Sequence, residues 1–278
     1  PQLSELQIIS IPRVEACGTS TDVSLPCMMS RIGRSDYNRD RILSEEQLPS
    51  LLNRAGANVL WIDNQSGCKG ACTGVSSRAT TPNPQDCPNG ECGDRVFLSE
   101  LKGELGKLPA DRPTVLFLHM MGSHGPAYSL RSDKARKLFE PECTDADLKS
   151  CSRESVMNAY DNSVRETDYV LASLIRMLKD TSGSIDSALV YVSDHGESLG
   201  EGGLYLHGAP YWMAPKEQTE VPMVLWMNSG FEKTFSINRS KLEKNAAGRV
   251  THENLYHTVL GLLNVKSTTY VPTYDLTH

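Results

Sequence analysis

The stretch Ser187–Gly200, which reads SALVYVSDHGESLG, sets the expected fold class of this 278-residue chain. Residues Ser187 to Ser193 form a short apolar run between polar flanks, which is typical of a buried central strand. Asp194 and His195 follow directly, and a glycine comes next. Ligands of open α/β sheets bind beyond the carboxyl ends of the strands, where these two side chains are expected. Aspartate and histidine are also good zinc ligands, although the same residues are compatible with a helix cap and a turn.

The composition fits one large α/β domain and excludes two classes of protein. The chain has 28 Lys and Arg residues against 34 Asp and Glu residues, which gives a net charge of −6. Nucleic-acid-binding domains carry a basic stripe, so nucleic acid is not expected as a partner. No apolar run approaches the roughly 18 to 20 residues that span a bilayer. The chain begins at Pro1 without an initiator methionine, so we expect processing or trimming upstream.

Eight cysteines fall into four couples that are close in sequence and have loop-like neighbours. The couples are Cys17 with Cys27, Cys68 with Cys72, Cys87 with Cys92, and Cys143 with Cys151. Local disulfides of this kind are typical of an oxidising compartment such as the periplasm or the cell exterior. A zinc ribbon is the alternative, but the chain has no Cys-x-x-Cys segment. Eight cysteines allow about a hundred pairings, so the spacing favours the local pairs without proving them.

Strand-like apolar runs alternate with helical patterns, which predicts βαβ units and a mostly parallel central sheet. The predicted strands are 58–63, 114–120, 187–193 and 221–226, the predicted helices are 45–55, 155–178 and 251–263, and 67–94 is a long loop held by disulfides. No internal repeat or linker stands out, so we expect a single domain over residues 1–278.

Hydroxyl residues near the N-terminus are candidates for a nucleophile. Thr19, Ser20 and Thr21 follow a glycine and precede a plausible short helix, so one of them could simply be the helix N-cap. The functional alternative is a nucleophile at a helix N-terminus, where free amides and the helix dipole stabilise an alkoxide or a phosphate. A threonine hydroxyl needs a base or a metal to react at neutral pH, and Asp194 with His195 could hold that metal.

Three histidines lie beside glycine at or beyond predicted strand ends, which favours a common site. They are His124, His195 and His207, and the first of them follows the predicted strand 114–120. His119 lies within that strand, and the remaining three are His252 and His257, on the last predicted helix, and His278 at the terminus. We expect those three at the surface or in packing.

The motifs of the chain closely resemble those of the lipid A phosphoethanolamine transferases, a family that includes the mobilised colistin-resistance enzymes. Cys-Gly-Thr-Ser-Thr at 17–21 resembles the nucleophile segment of that family, and Ser-Leu-Pro-Cys-Met follows at 24–28. Further matches, in family order, are 119–128, 158–162, 191–200, 204–208 and 214–218. The resemblance implies an alkaline-phosphatase/sulfatase-like α/β/α sandwich. It also implies a soluble periplasmic catalytic domain, normally tethered to the inner membrane by an N-terminal membrane domain that this sequence lacks.

The resemblance implies zinc-dependent transfer of phosphoethanolamine from phosphatidylethanolamine to a lipid A phosphate, with colistin resistance as the result. Thr21 would be the nucleophile that carries the transferred group. Thr21, Asp194 and His195 would be ligands of the catalytic Zn²⁺. A protein of this kind is expected to work as a monomer at the periplasmic face of the membrane.

The resemblance also assigns roles to five other residues. His124 and His207 match histidines that face the transferred phosphate, as acid–base groups or as ligands of a second zinc. Thr19, Lys69 and Glu197 fall where the substrate pocket of the family lies.

One departure from the family concerns a zinc ligand. Family members carry a Val-Gly-Glu-Thr-like segment upstream of the nucleophile, and its glutamate completes the ligand set. No such segment precedes Thr21 here. Glu5 and Glu15 are the only acidic residues between Pro1 and Thr21, and we expect neither to have the setting of a strand followed by a loop. We therefore expect a catalytic domain that lacks this strand and has an incomplete ligand set.

Other functions within the superfamily and outside it remain as alternatives. A phosphatase or a phosphoglycerol transferase would share the metal ligands. A sulfatase normally needs a Cys-x-Pro-x-Arg-type segment, which the chain does not contain. A non-enzymatic zinc-binding module is the alternative from a different class.

Overall fold

The computed structural model of the chain describes residues 2–82, 87 and 92–278. The strands are β1 Ile9–Glu15, β2 Asn58–Asp63, β3 Ser76–Ala79, β4 Thr114–His119, β5 Ala188–Val192, β6 Ser198–Leu199, β7 Tyr205–Leu206, β8 Glu220–Met227 and β9 Val250–Thr251. The helices are α1 Thr21–Met28, α2 Arg39–Ser44, α3 Leu48–Arg54, α4 Val96–Leu105, α5 Arg153–Asp180, α6 Lys216–Thr219, α7 Ser229–Thr234, α8 Arg239–Ala246 and α9 Glu253–Leu262.

The main strands form two hydrogen-bonded sheets. One has the order β3-β2-β4 and is parallel throughout, with Asp63 at the end of β2 opposite His119 at the end of β4. The other has the order β5-β8-β1-β9, in which β8 is antiparallel to both of its neighbours and β1 is parallel to β9. The expected mostly parallel α/β architecture is confirmed, because β8 is the one reversed strand in these two sheets as described.

Helices cover both faces of these strands. Helices α1, α3, α8 and α9 bury one core with side chains such as Leu51 and Leu255, and α4 and α5 bury the other with Phe97 and Ile175. Helix α5 begins at the N-cap Ser152, whose hydroxyl accepts a hydrogen bond from the Ser155 amide. In the described ranges, no helix has both the length and the apolar character needed to cross a membrane.

Strands β4 and β5 are edge strands of the two sheets, and both are incompletely covered. Alternate residues of each strand enter the same two cores: Val115 and Val190 lie in one, and Leu116 and Leu189 in the other. Within the described part of the chain, no ladder of hydrogen bonds joins the two strands. All 6 residues of β4 and all 5 of β5 are only half-buried, although both sequences are strongly apolar. Each of these two strands therefore has one edge without a partner strand among the described residues.

Several predicted boundaries need correction. The helix predicted at 45–55 begins at Leu48, because α2 ends just before Glu45 and Pro49, which has no amide hydrogen, fits the first turn of α3. The last predicted helix begins at Glu253, because Thr251 belongs to β9. The predicted loop 67–94 contains strand β3, and its residues 83–86 and 88–91 lie outside the described residues.

The predicted disulfides are confirmed. All eight cysteines form the four local pairs: Cys17–Cys27, Cys68–Cys72, Cys87–Cys92 and Cys143–Cys151. The first of these joins the loop before α1 to the penultimate residue of that helix, and both of its cysteines are fully buried.

Candidate active site

Thr21 is the first residue of α1, and its hydroxyl points into the protein. The N-cap position belongs to Ser20, whose side chain bonds Asp22 Oδ1 at 2.7 Å and caps no helix amide. Thr21 Oγ1 lies 3.3 Å from His195 Nε2, and the residue is buried. The Thr21 hydroxyl is therefore directed at the histidine that follows β5.

Asp194 and His195 form the turn that follows β5. Asp194 Oδ2 lies 3.6 Å from His195 Nε2, and this buried oxygen has no hydrogen-bond partner among the described residues. The Ser24 hydroxyl, on α1, donates to the Asp194 carbonyl and holds this turn against α1. The next residue must be glycine, because a Cβ on Gly196 would lie 2.0 Å from the carbonyl oxygen of Glu217.

Three donor atoms from these residues fit a zinc ion. Tetrahedral ligands about 2.0 Å from a zinc ion are separated by about 3.3 Å. The spacings of 3.3 Å from Thr21 Oγ1 to His195 Nε2 and 3.6 Å from that nitrogen to Asp194 Oδ2 are close to this value. An unpaired buried carboxylate oxygen is costly unless a cation satisfies it. The donor set therefore suits Zn²⁺, with Asp194 supplying the negative charge.

Three histidines converge beside Thr21. The ring centroids of His195 and His207 are 4.4 Å apart, those of His124 and His207 are 4.7 Å apart, and those of His124 and His195 are 6.4 Å apart. Burial and the neighbouring His207 lower the pKa of His124, while the hydrogen bond to Glu197 raises that of His207. Two imidazoles with opposite preferences for a proton thus lie beside His195, which contacts Thr21.

Glu197 is a buried carboxylate that accepts hydrogen bonds from three neighbouring residues. Its Oε1 accepts hydrogen bonds from His207 Nδ1 at 2.8 Å and from the Gly125 amide at 3.2 Å. Its Oε2 accepts from the Tyr128 hydroxyl at 2.9 Å. Metal-ligating atoms of His195, Glu197 and His207 all lie within 4.8 Å of one another, a spacing that would also suit a second ion. However, protein donors already engage both oxygens of Glu197, so its present contacts orient His207 and the loop after His124.

The other two residues matched to a substrate pocket form hydrogen bonds to loop segments. Thr19 is buried, and its hydroxyl donates to the Ala209 carbonyl at 2.7 Å. This bond ties residues 16–20, which lead to the candidate nucleophile Thr21 and are called the nucleophile loop below, to the segment after His207. Lys69 lies on the loop after β2, and its ammonium group bonds the carbonyl and hydroxyl of Ser66, both at 2.8 Å, within its own loop.

Glu15 has a setting that the sequence did not suggest. It is the last residue of β1 and precedes the nucleophile loop, so the expectation that it does not end a strand is wrong. Its carboxylate pairs with Arg249 at 2.5 Å and lies 3.4 Å from the Tyr211 hydroxyl. These contacts account for Glu15 without any part in the zinc donor set.

Sequence reasoning missed the two acids that hold the loops after β2 and β4. Asp63 Oδ2 lies 2.8 Å from His119 Nδ1; although burial opposes it, the hydrogen bonds of His119 and Trp61 hold the pKa of Asp63 below its usual range. Buried Asp94 accepts hydrogen bonds from the side chain of Asn64 and from the amides of Met121 and Gly122. Asp63 was detectable as a polar residue at a strand end, whereas no local pattern marks Asp94.

His252 and His257 are packing residues rather than surface residues. His252 lies between Cys17 and Ser193, and burial lowers its pKa to about 4. His257 packs among Tyr256, Tyr270 and Tyr274. The third histidine that was expected outside the site, His278, is exposed.

Comparisons with known proteins support the interpretation of the motifs. The family model described as Sulfatase matches residues 1–265. The phosphoethanolamine transferase EptA of Escherichia coli K12 is 39% identical over 279 residues, which cover 99% of this chain and 51% of that protein. The phosphatidylethanolamine transferase Mcr-1 of E. coli is 38% identical over 235 residues, 81% of this chain and 43% of that protein. The chain therefore spans about half the length of the curated relatives it matches.

Solved structures give the same picture. The soluble domain of lipooligosaccharide phosphoethanolamine transferase A from Neisseria meningitidis superposes with a TM-score of 0.92 at 40% identity, covering 98% of this chain and 81% of that one. The integral membrane form of the same transferase superposes with a TM-score of 0.94 at 40% identity, covering 100% of this chain and 52% of that one. A Vibrio parahaemolyticus protein of the alkaline phosphatase superfamily shares the fold, with a TM-score of 0.66 at 16% identity over 99% of this chain and 62% of that one. The chain belongs to the phosphoethanolamine transferases of the sulfatase family.

Proposed function

We propose that this chain is the catalytic domain of a zinc-dependent enzyme that transfers phosphoethanolamine from phosphatidylethanolamine to a lipid A phosphate. The observation that carries the proposal is that Thr21 Oγ1 and Asp194 Oδ2 lie 3.3 and 3.6 Å from His195 Nε2, beside two further histidines. The names of the relatives, which are phosphoethanolamine transferases, support the choice of transferred group.

Zn²⁺ held by Thr21, Asp194 and His195 would supply Lewis acidity, which lowers the pKa of a hydroxyl and neutralises charge on a phosphate. Thr21 is suited to nucleophilic attack because its hydroxyl is buried at the first residue of a helix, where the free amides favour negative charge. Asp194 is suited to binding a cation because its buried oxygen is otherwise unsatisfied.

In the first half of the reaction, Thr21 Oγ attacks the phosphorus of phosphatidylethanolamine. A bond from Thr21 Oγ to phosphorus forms as the bond from phosphorus to the diacylglycerol oxygen breaks. The proton that Thr21 gives up and the proton that the leaving oxygen gains pass through His124 and His207. The adjoining rings of these histidines, 4.7 Å apart, suit general acid–base catalysis.

In the second half, an oxygen of the lipid A phosphate attacks the same phosphorus, and Thr21 Oγ is released with a proton. This ping-pong scheme needs one site for both lipids in turn. The ammonium group that lipid A gains offsets the negative charge of its phosphate, which weakens the binding of cationic polymyxins and confers colistin resistance. Thr19, Lys69 and Glu197 remain our candidates for the walls of the substrate pocket.

The location and partners follow from the two lipids. We place the domain at the periplasmic face of the inner membrane as a monomer, with phosphatidylethanolamine and lipid A as its partners. Four disulfides support an oxidising compartment. The coverage of 52% of an integral membrane relative supports a membrane-embedded remainder of the full-length protein.

We further propose that residues 1–278 form a single domain with a slot between the edges of β4 and β5. A strand from the rest of the full-length protein would fill this slot and carry the remaining zinc ligand. The half-buried apolar residues of β4 and β5 support this, since a strand between them would cover both edges. The same slot ends beside Asp194, at the carboxyl end of β5. A carboxylate at the end of the added strand would bring a fourth donor to the ion.

The proposal is tested by incubating the full-length protein in detergent with phosphatidylethanolamine and weighing the protein by mass spectrometry. We expect a gain of one phosphoethanolamine group on Thr21, and its loss when lipid A is added. Thr21→Ala should gain nothing, whereas the neighbouring Ser20→Ala should be modified like the wild type. Release of free phosphoethanolamine without modification of lipid A would indicate a phosphatase, and a phosphoglycerol adduct from phosphatidylglycerol would indicate a phosphoglycerol transferase.

A further inference from the structure

His252 joins three parts of the fold next to the proposed zinc ligands Thr21, Asp194 and His195. It lies between β9 and α9, and its backbone amide donates to the carbonyl of Glu15 at 2.9 Å, at the end of β1. Its side chain is almost completely buried, with 1% of its surface exposed. The ring thus occupies a fixed position between the nucleophile loop on one side and the turn after β5 on the other.

The hydrogen bonds of the His252 ring fix its tautomer. The Cys17 amide donates to Nδ1 at 3.0 Å, so that nitrogen carries a lone pair. The ring proton is therefore on Nε2, which donates to the Ser193 carbonyl at 3.0 Å. A neutral imidazole has one donor and one acceptor, and both are used here.

The two groups that His252 connects belong to the two halves of the proposed site. Cys17 lies four residues before Thr21 on the nucleophile loop, and Ser193 directly precedes Asp194. The sequence separations from His252 are 235 and 59 residues, so nothing local in the chain fixes this arrangement. Ser24 makes a second link, from α1 to the Asp194 carbonyl.

We propose that His252 is a positioning residue that sets the distance between Thr21 and the Asp194–His195 turn. The inference rests on the proposed function, because it concerns the geometry of the donor set and of the nucleophile. The ring of His252 contacts the Cys17 amide, the Ser193 carbonyl and, at 3.4 Å, the Ser24 hydroxyl, so it acts through these neighbours. A displacement of about 1 Å in such an arrangement can cost on the order of a hundredfold in rate.

His257 offers a matched control for a purely structural role. It lies on α9, 2% of it is exposed, and its Nδ1 accepts a hydrogen bond from the Val271 amide at 3.1 Å. It packs against tyrosines 256, 270 and 274, away from the nucleophile loop. Removing either imidazole takes one buried histidine and one amide acceptor from the same part of the fold.

The experiment compares His252→Ala and His257→Ala in the full-length protein. Three quantities are measured: the melting temperature, the Kd for Zn²⁺ by competition with a chelating dye, and kcat and KM for transfer from phosphatidylethanolamine. We expect both variants to melt earlier. We expect His252→Ala alone to raise the Kd for Zn²⁺ at least about tenfold, about 1.4 kcal/mol, and to lower kcat by about a hundredfold with KM little changed.

A conservative variant tests the role of the hydrogen bonds. His252→Asn places an amide oxygen near the position of Nδ1, which keeps an acceptor for the Cys17 amide and gives up the bond to Ser193. We expect its Kd and kcat to lie between those of the wild type and His252→Ala. If His252→Ala does not fold, His252→Asn carries the same comparison with His257→Asn.

Two results would overturn the inference. In one, His252 and His257 variants lose Zn²⁺ affinity and kcat in parallel with their melting temperatures, which is the behaviour of two structural residues. In the other, the His252 variants bind Zn²⁺ and turn over like the wild type. Failure of the proposed function looks different, because the wild-type protein itself would then bind no Zn²⁺ or transfer no phosphoethanolamine.

Discussion

Individual buried side chains determine how the candidate site is held. Glu197 receives three protein hydrogen bonds, Asp94 receives three, and His252 uses both ring nitrogens. Asp194 differs from all of these, because its buried Oδ2 has no partner in the described ranges. Satisfied polar groups are rigid, and an unsatisfied one favours a ligand. Hydrogen bonds therefore hold the surroundings of the site in place, and Asp194 Oδ2 is left available to a cation.

Tyr128 should be needed for stability through its hydroxyl. Tyr128→Phe leaves Glu197 Oε2 buried without its donor, which costs about 1–3 kcal/mol of unfolding free energy. Tyr160→Phe is the control, because Tyr160 packs edge-on against the Tyr128 ring at 5.4 Å and its hydroxyl is not the donor to Glu197. Urea denaturation should show the larger loss for Tyr128→Phe. Equal losses would contradict a specific role for the bond to Glu197.

His257 should make stability depend on pH. Burial among three tyrosines lowers its pKa to about 4, although Asp275 and Glu253 face it and oppose the shift. The folded protein therefore binds this proton less readily than the unfolded chain, whose histidine pKa is about 6.5. The stabilisation is fully present above about pH 6.5 and is lost as the pH falls towards about 4, by up to about 3 kcal/mol.

The measurement is the free energy of unfolding in urea between pH 7 and pH 4, for the wild type and His257→Asn. The variant should be less stable at pH 7 and should lose less stability on acidification. Parallel curves for the two proteins would show that His257 does not carry the effect.

The ends of elements, rather than their middles, bring the functional groups together. Asp94 clamps the loops that follow β2 and β4, because it bonds Asn64 on one and the Met121 and Gly122 amides on the other. Asp94→Ala should cost about 1–3 kcal/mol for the amides left unpaired, and should slow transfer because His124 lies on the second loop. The exposed Asp111, just before β4, gives the control variant Asp111→Ala, which should match the wild type in stability and rate.

The turn between β5 and β6 depends on Gly196. Gly196→Ala places a methyl group on the carbonyl of Glu217, which is backbone and cannot simply swing away. We expect a loss of several degrees in melting temperature, since overpacking of this kind costs about 1–3 kcal/mol. Gly183→Ala, where a Cβ meets nothing within 4 Å, should leave the melting temperature within about a degree. A thermal melt of the two variants decides the matter.

The elements that the sequence predicted are those with a strong local pattern. Strand β2 was predicted at its observed bounds, and α5 within two residues at each end, because apolar runs and long helical periodicity are local properties. Strand β1 was not predicted, because Pro12 and Arg13 interrupt its alternation of apolar and polar residues beside a bulge. Helix α8 was not predicted, because most of its residues are polar and only Leu242 and Ala246 are buried.

The candidate site divides in the same way. The pair Asp194–His195 and His124 were recognisable because each follows a predicted strand and directly precedes a glycine. The role of Lys69 was matched by motif, but the structure directs its ammonium group to Ser66. The place of His252 was not predictable, because its partners lie 235 and 59 residues away and only tertiary packing brings them to it.

The slot between β4 and β5 is the main feature of the whole molecule that the proposed added strand should change. Amide protons of β4 and β5 should exchange faster in this 278-residue chain than in the full-length protein, because an added strand would bond both edges. Exchange in β2 and β8, which have partners on both sides, should be alike in the two proteins. Hydrogen exchange with mass spectrometry measures this directly.

The same strand should strengthen zinc binding. The full-length protein should bind Zn²⁺ more tightly than the chain described above, because the added carboxylate completes the donor set. Binding by the shorter chain need not vanish, since three protein ligands and a water can hold a catalytic zinc. Competition with a chelating dye compares the two. Affinities within about threefold, roughly 0.6 kcal/mol, would show that the shorter chain already has a complete ligand set.

The pairing of β1 with β8 and β9 has a consequence for the order in which the enzyme becomes competent on the ribosome. Translation produces Thr21 well before residues 220–227 and 250–251, which contain the strand partners of β1. Chains generally fold as their domains emerge, and pairings between distant residues form slowly. Thr21, the proposed nucleophile, is thus synthesised long before the strands that hold β1 in place are available to pair with it. A chain that ends before residue 220 would contain Thr21, His124, His195 and His207 but neither of the strands that pair with β1.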